Sequence, residues 1–342
     1  MHRAPTARHA FIQGAILNNR ISKFLGGAFA LAFLAWSIGA RGEPAYPERA
    51  ITVVVPFSAG SASDTYARLI GARLGEALGQ SVVVENKDGA GGFIGAQYVL
   101  RAKPDGYTLL FAASPWAYTP YFFKRTPYDP SKDFVAVAKV GAAPSVLVAA
   151  ADAPFGDVAG MAEYARQNPG KLTYSSAGIG TYSHLIGALV EKKLGVSMMH
   201  VPYKSAAQAM SDVVGHMISL NYPSLSAALP LIKAGKLKAL GVTSLAPAAI
   251  APDIPPLASQ GMPGFEVMQW FGFVAPTGTS PRIVELLNTR INRVLAEPDV
   301  AARFAQLGIQ LTPESPAGFS SDIDGEIKKW VPLGKELSIT YD

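Results

Sequence analysis

The chain has no cysteine. Disulfides, thiolate metal sites, a cysteine nucleophile and a lipid-modified cysteine at a mature N-terminus are therefore excluded. Histidine is scarce. Beyond residue 42 only His184, His200 and His216 remain, and none stands in H-E-x-x-H or another metal-ligand spacing. Charged residues make up 16% of the chain against 49% apolar ones, which excludes a disordered sequence and permits large cores. Residues 1–42 contain no acid. Five of the 30 basic residues lie there, which leaves 25 basic against 25 acidic ones in the rest. A neutral body excludes an electrostatic nucleic-acid binder. There is no G-x-S-x-G nucleophile elbow and no internal repeat of 20–50 residues.

Only one long apolar run exists, from Phe24 to about Ala40. Arg20 and Lys23 precede it, and the small residues Ala40 and Gly42 close it. This is the layout of a signal peptide, cleaved near Ala40 or Gly42. The rival, a retained membrane anchor, is at the short limit for a span and contains three glycines. The expected mature protein is exported and soluble.

The rest of the 342 residues has room for two domains. Ile51–Asp64 (ITVVVPFSAGSASD) sets the pattern. Ile51–Val55 reads as a strand buried on both faces. A turn of small residues follows, and a helical pattern opens at Asp64. Ser81–Glu85 reads as a second buried strand, Asn86–Gly95 as a glycine-rich turn into a helix, and Tyr107–Ala112 as a third strand. That is β-α-β-α-β, the start of an open α/β sheet. Phe134–Ala150 reads as a strand pair, broken at Gly141–Pro144, that passes to another domain. A second α/β rhythm occupies Val158–Thr243. Phe265–Val274 reads as the strand that returns to the first domain. Helices are expected from Ser280-Pro281 and Ser315-Pro316.

Three small-residue loops share one grammar: Pro56–Asp64, Gly89–Gly95 and Ser176–Ser183. Each follows a strand and opens a helix. Free N–H groups at a helix start favour anions, and ligands of open α/β sheets bind at the carboxyl ends of strands. Two loops belong to the first domain and one to the second, so a shared ligand would sit between them. Any one loop alone could be only a tight turn. A dinucleotide reading fails, because the glycine spacing is G-x-G-x-x-x-G and no ribose-binding acid follows. Ser58, His184 and Asp64 permit a hydrolase-like triad only in outline. His184 and Lys204 are candidate ligand contacts, and the aromatics of 116–123 line either a pocket or the domain junction.

The segments YPERAITVVVPFSAGSASD, VVVENKDGAGGFIGA, PDGYTLL, YDPSKDF, NPGKLTYSSAGIGTYSHL, HVPYKS, LPLIKAGKLKALGVTS, DIPPLASQGMPGFEVMQWFG and APTGTSPRIVELLN together resemble the tripartite tricarboxylate transporter receptors, the Bug-type periplasmic solute-binding proteins. The resemblance implies an α/β, two-lobed, type II Venus-flytrap fold with two crossovers. Lobe 1 would be 46–143 plus 268–342, and lobe 2 would be 144–267. It implies a periplasmic receptor with no catalysis, no cofactor and no metal. Its partners would be a small organic acid and an integral-membrane permease of the tripartite type, with no nucleic acid, and the receptor is read as a monomer. A ligand-sensing input to a signalling system is the alternative. Carried onto this chain, the implied ligand contacts are Phe57, Ser58, Gly60, Ser61, Asp64, Gly91, Gly92, Ser114, Ser176, Gly178, Gly180, Thr181 and Tyr203. The chain departs from the family in three places. Ser61 replaces a second glycine, Leu220–Ser226 lacks an aspartate, and Pro115-Trp116 adds bulk.

Overall fold

The computed structural model describes residues 46–203 and 206–341. The expected signal peptide with its cleavage site, together with Lys204 and Ser205, lies outside the described residues.

The first elements are β1 (Ile51–Val55), α1 (Ala62–Leu78), β2 (Val82–Asn86), α2 (Phe93–Leu100) and β3 (Thr108–Ala113). An aromatic stretch of short helical turns leads to β4 (Phe134–Pro144). Next come β5 (Val146–Ala150), α3 (Val158–Gln167), β6 (Thr173–Ser176), α4 (Tyr182–Leu194), β7 (Met199–Pro202), α5 (Ala206–Val214), β8 (Leu220–Asn221), α6 (Leu225–Lys233) and β9 (Leu237–Val242). The chain ends with β10 (Met268–Pro276), α7 (Pro281–Leu295), α8 (Pro298–Gln306), β11 (Gln310–Leu311) and α9 (Pro316–Glu336).

These strands form two sheets, and each sheet centres a lobe. The first has the order β11-β4-β10-β3-β1-β2, and the second β7-β6-β8-β5-β9. β1 pairs in parallel with β2 and β3, while β10 runs antiparallel to β3 and β4. The β-branched run of β1 lies inside the sheet and is buried, as its composition demands. β2 has a similar composition but a different place. It is the edge of the sheet, and Val83 is 45% exposed. The expectation of a second buried strand is corrected there, because run composition cannot tell an edge from a centre.

The passage between sheets is sharper than the sequence suggested. β4 and β5 are separated by Ser145 alone, whose N–H donates to Thr243 Oγ1 at 2.8 Å. The returning strand begins at Met268 rather than Phe265. β8 is only two residues long, and α8 and β11 were not read from the sequence.

The lobes do not have wholly separate cores. Trp330, Leu333 and Ile339, from the end of α9 and beyond, pack in one buried cluster with Leu147, Tyr174 and Leu185 of the second lobe. Tyr118 and Phe122 join them. The C-terminal segment then continues as a strap. Tyr341 N–H donates to Phe122 O at 2.7 Å, and its hydroxyl donates to Ile179 O in the third loop.

Candidate functional site

A cleft of about 780 Å³ opens between the lobes. That is ample for a small metabolite. Its lining contains no Asp, Glu, Lys, Arg or His among the described residues. Polar groups are hydroxyls and amides: Thr119, Ser145, Ser176, Thr181, Ser183, Asn221, Ser224 and Gln269.

Four helices begin at this cleft: α5 at Ala206, and three whose N-cap residue is described, α2 beside Gly91 and Gly92, α4 beside Thr181, and α6 beside Ser224. The last three bear on the site. At none of them does the N-cap side chain close the helix start. The first-turn N–H groups of a helix need acceptors from outside it, and they carry the positive end of the dipole. An anion in the cleft supplies both needs.

The third loop is held in shape by its own bonds. Thr181 Oγ1 donates to Gly178 O at 2.7 Å, so it is turned away from capping α4. Gly180 N–H donates to His184 Nδ1 at 2.9 Å. His184 is buried and stacks on His200, with ring centroids 3.9 Å apart. Burial, with His200 beside it, pulls the His184 pKa down to about 4. It is therefore neutral near pH 7 and free to accept. His200 Nε2 lies 2.6 Å from Ser176 Oγ, which also accepts from Gly178 N–H at 3.0 Å. Gly180 has φ +68, and a Cβ there would strike Tyr341 and Ile339. Only glycine suits that point of the strap.

The first loop is built differently. Ser61 Oγ caps α1 by accepting from Asp64 N–H at 3.2 Å. The Asp64 carboxylate is buried. It accepts from Gly60 N–H (2.9 Å) and Asn86 Nδ2 (3.0 Å) and pairs with Arg68 Nε (2.9 Å). The Arg68 bond, helped by Gly60 and Asn86, outweighs burial and lowers the Asp64 pKa to about 2. Asn86 Nδ2 also bonds Phe57 O at 3.0 Å.

Of the residues singled out from the sequence, Phe57, Gly91, Gly92, Ser176, Gly180 and Thr181 line the cleft. Ser58, Gly60, Ser61, Asp64, Ser114, Gly178 and Tyr203 are not in its lining. Ser58 and Gly60 are exposed, Ser61 and Asp64 serve the first loop internally, and Gly178 braces the third. Ser114 is fully buried, and its Oγ has no partner among the described residues. The Tyr203 hydroxyl donates to Asp212 at 2.7 Å. His184 is a brace rather than a lining residue. The imagined triad is not assembled, since Asp64 is bonded within the first loop and His184 within the third.

Sequence reasoning missed Tyr182, Tyr222, Asn221, Gln269 and Tyr341, all in the lining. Tyr182 stands within the third loop and Asn221 and Tyr222 within the Leu220–Ser226 segment that departs from the family, so those stretches carried a signal although the residues did not. Gln269 and Tyr341 reach the cleft from distant parts of the chain with no local mark. The aromatic stretch did carry a signal. Trp116, Phe123 and Tyr128 line the cleft, and Trp116 stacks on Tyr128 at 6.0 Å. Three buried donors in the lining, Trp116 Nε1, Tyr182 OH and Tyr222 OH, have no partner among the described residues.

Comparison with known proteins agrees with this geometry. Residues 66–339 match the model of the tripartite tricarboxylate transporter family receptor. A protein of Pseudomonas sp. strain P51, described as a UPF0065 protein in the tcbD-tcbE intergenic region, is 40% identical over 305 residues, covering 89% of this chain and 91% of its own. Two solved structures from Rhodopseudomonas palustris share the fold. Rpa4515 with adipate has a TM-score of 0.77 at 33% identity, covering 86% of this chain and 99% of its own. MatC with bound malate has 0.73 at 32%, covering 84% and 99%. With two lobes, a cleft between them and a family match over most of its length, the chain belongs to the tripartite tricarboxylate transporter receptor family.

Proposed function

We propose that the protein is an exported, periplasmic solute-binding receptor that captures a small organic carboxylate between its lobes and offers it, unchanged, to an integral-membrane permease. One observation carries the reading: a cleft without ionic side chains among the described residues, onto which the starts of α2, α4 and α6 open without side-chain caps. Each helix start contributes about 0.3–1 kcal/mol toward an anion, and more when water is excluded. Relatives solved with adipate and with malate support the same ligand chemistry. Among the described residues no helix is long and apolar enough to cross a membrane, which suits a receptor that meets its permease from outside. The proposed contacts are Phe57, Gly91, Gly92, Ser176, Gly180 and Thr181. Lobes 46–143 plus 268–342 and 144–267 close about the crossovers near Ser145 and Met268. Ligand binding shifts that equilibrium toward the closed form.

A thermal-shift panel of carboxylic acids tests the capture step. A ligand at 100 times its Kd adds about 2.7 kcal/mol of stability. A melting shift from a neutral sugar or peptide, with none from any acid, sinks the carboxylate reading. Unaltered uptake in a strain lacking the receptor sinks the transport role, and conversion of the bound acid on incubation sinks the non-enzymatic one.

A further inference from the structure

The two walls of the cleft differ in chemistry. The second-lobe wall carries the hydroxyls of Ser176, Thr181 and Ser183, the Asn221 amide and the starts of α4 and α6. The first-lobe wall carries the rings of Phe57, Phe93, Trp116, Phe123 and Tyr128, with Thr119, Gln269 and the hydroxyls of Tyr128 and Tyr341 as its polar side-chain groups. Tyr182 and Tyr222 add rings on the second-lobe side, but the five rings of the first-lobe wall make it the more aromatic of the two.

These rings form one connected surface. Phe93 meets Phe123 edge-on at 4.4 Å and Tyr128 at 5.8 Å. Tyr128 stacks on Trp116, and Phe134 meets Trp116 edge-on at 5.1 Å from behind. Trp116 is 7% exposed, and its Nε1 donor has no partner among the described residues. The indole also borders a second cavity, of about 440 Å³. It is thus a partition with space on both sides, held by ring contacts. A wall of this kind suits a flat π-face, because offset-stacked and edge-on ring pairs contribute beyond the area they bury. A flexible aliphatic chain gains only the area term.

We infer that the ligand is a carboxylate with a flat aromatic body, its carboxylate at the helix starts and its ring against the wall that Trp116 completes. This rests on the carboxylate-receptor reading and narrows it to a ligand class, with Trp116 as the residue that sets the preference.

Calorimetric titration of the mature protein with benzoate, phenylacetate, cyclohexanecarboxylate and adipate tests it. Benzoate and cyclohexanecarboxylate have the same carbon skeleton and charge and differ in flatness and π-character. The aromatic acids should bind at least tenfold more tightly than the other two. Trp116→Phe, which keeps a ring, should retain most of that preference. Trp116→Ala should lose it, bringing the affinities for the four acids to within about threefold of one another. Should the alanine variant fail to fold, tryptophan emission gives a second readout. Benzoate should quench the wild-type emission, and Trp116→Phe should abolish the quench while calorimetry still records binding. Equal or tighter binding of cyclohexanecarboxylate or adipate overturns the aromatic class and leaves the carboxylate reading standing. A quench that persists in Trp116→Phe overturns the role of Trp116. Failure of all four acids, with a neutral solute binding instead, overturns both readings.

Discussion

The first and third loops have the same grammar in sequence and opposite uses in space. Both follow a strand, run through small residues and open a helix. In Pro56–Asp64 two side chains turn back on the loop. Ser61 caps the helix, and Asp64 gathers Gly60, Asn86 and Arg68. In Ser176–Ser183 the side chains brace the turn but leave the helix start open. Thr181 bonds back to Gly178, and His184 takes the N–H of Gly180. The first loop is a closed structural unit whose contribution to the cleft is Pro56 and Phe57. The third is a rigid mouth. Whether a helix start serves a ligand depends on whether a nearby side chain already serves it.

The comparison breaks most visibly with pH. His184 has a folded pKa of about 4, below its ordinary 6.5, so the unfolded chain takes up the proton first. Its contribution is complete above about pH 6.5 and is lost as pH falls toward 4, by about 3 kcal/mol. Burial also lowers the His200 pKa and raises that of Glu326 to about 7, with the opposite sign for Glu326. The His184 part is therefore read as the difference in urea unfolding between wild type and His184→Asn, which keeps an acceptor without the titration. That difference should shrink as pH falls from 6.5 toward 4. Asp64 behaves oppositely in range. Its pKa is lowered from 3.8 to about 2, so its contribution persists to below pH 4 and is lost only as pH falls toward 2. A stability difference between wild type and His184→Asn that stays constant from pH 6.5 to 4 would show that the third loop does not depend on a neutral imidazole at residue 184.

Next in size is removal of the first-loop carboxylate. Asp64→Ala leaves Gly60 N–H and Asn86 Nδ2 without their acceptor and should cost on the order of 2 kcal/mol in chemical denaturation. Ligand affinity should change less than threefold, since Asp64 is outside the cleft lining. A large affinity loss at unchanged stability would place the first loop in the binding site after all.

The smallest expected effect is at Ser61. Glycine is itself a tolerable N-cap, so Ser61→Gly should cost only about a few tenths of a kcal/mol. Affinity and selectivity should stay within about twofold. A shifted ligand preference would mean that the hydroxyl reaches the ligand despite its bond to Asp64 N–H.

Much of the architecture was legible before the fold. Ile51–Val55 carries its burial in its composition, and the two α/β rhythms with their strand passages follow from periodicity and turn residues. Ser81–Glu85 reads as a buried strand because a β-branched run looks alike at the centre and at the edge of a sheet, and the strand found at Val82–Asn86 is the edge. Ser61 is a different case: the resemblance implies a ligand contact, and its Oγ accepts from Asp64 N–H, a role that a serine near a helix start does not reveal in sequence. Tyr341 was not read at all, since nothing in a C-terminal tyrosine announces a contact with residue 179.

The sequence by itself determined the class of chemistry. Absent cysteines, scarce histidines, a neutral body and three small-residue loops leave few reactions open and make an anion clamp natural. Those are properties of composition and of local backbone, which every conformation of the chain shares. Only the tertiary structure decided which helix starts remain open, that one wall of the cleft is aromatic, and that Trp116 partitions two cavities. Those depend on side chains brought together from distant positions, whose order along the chain holds no record of their distances in space.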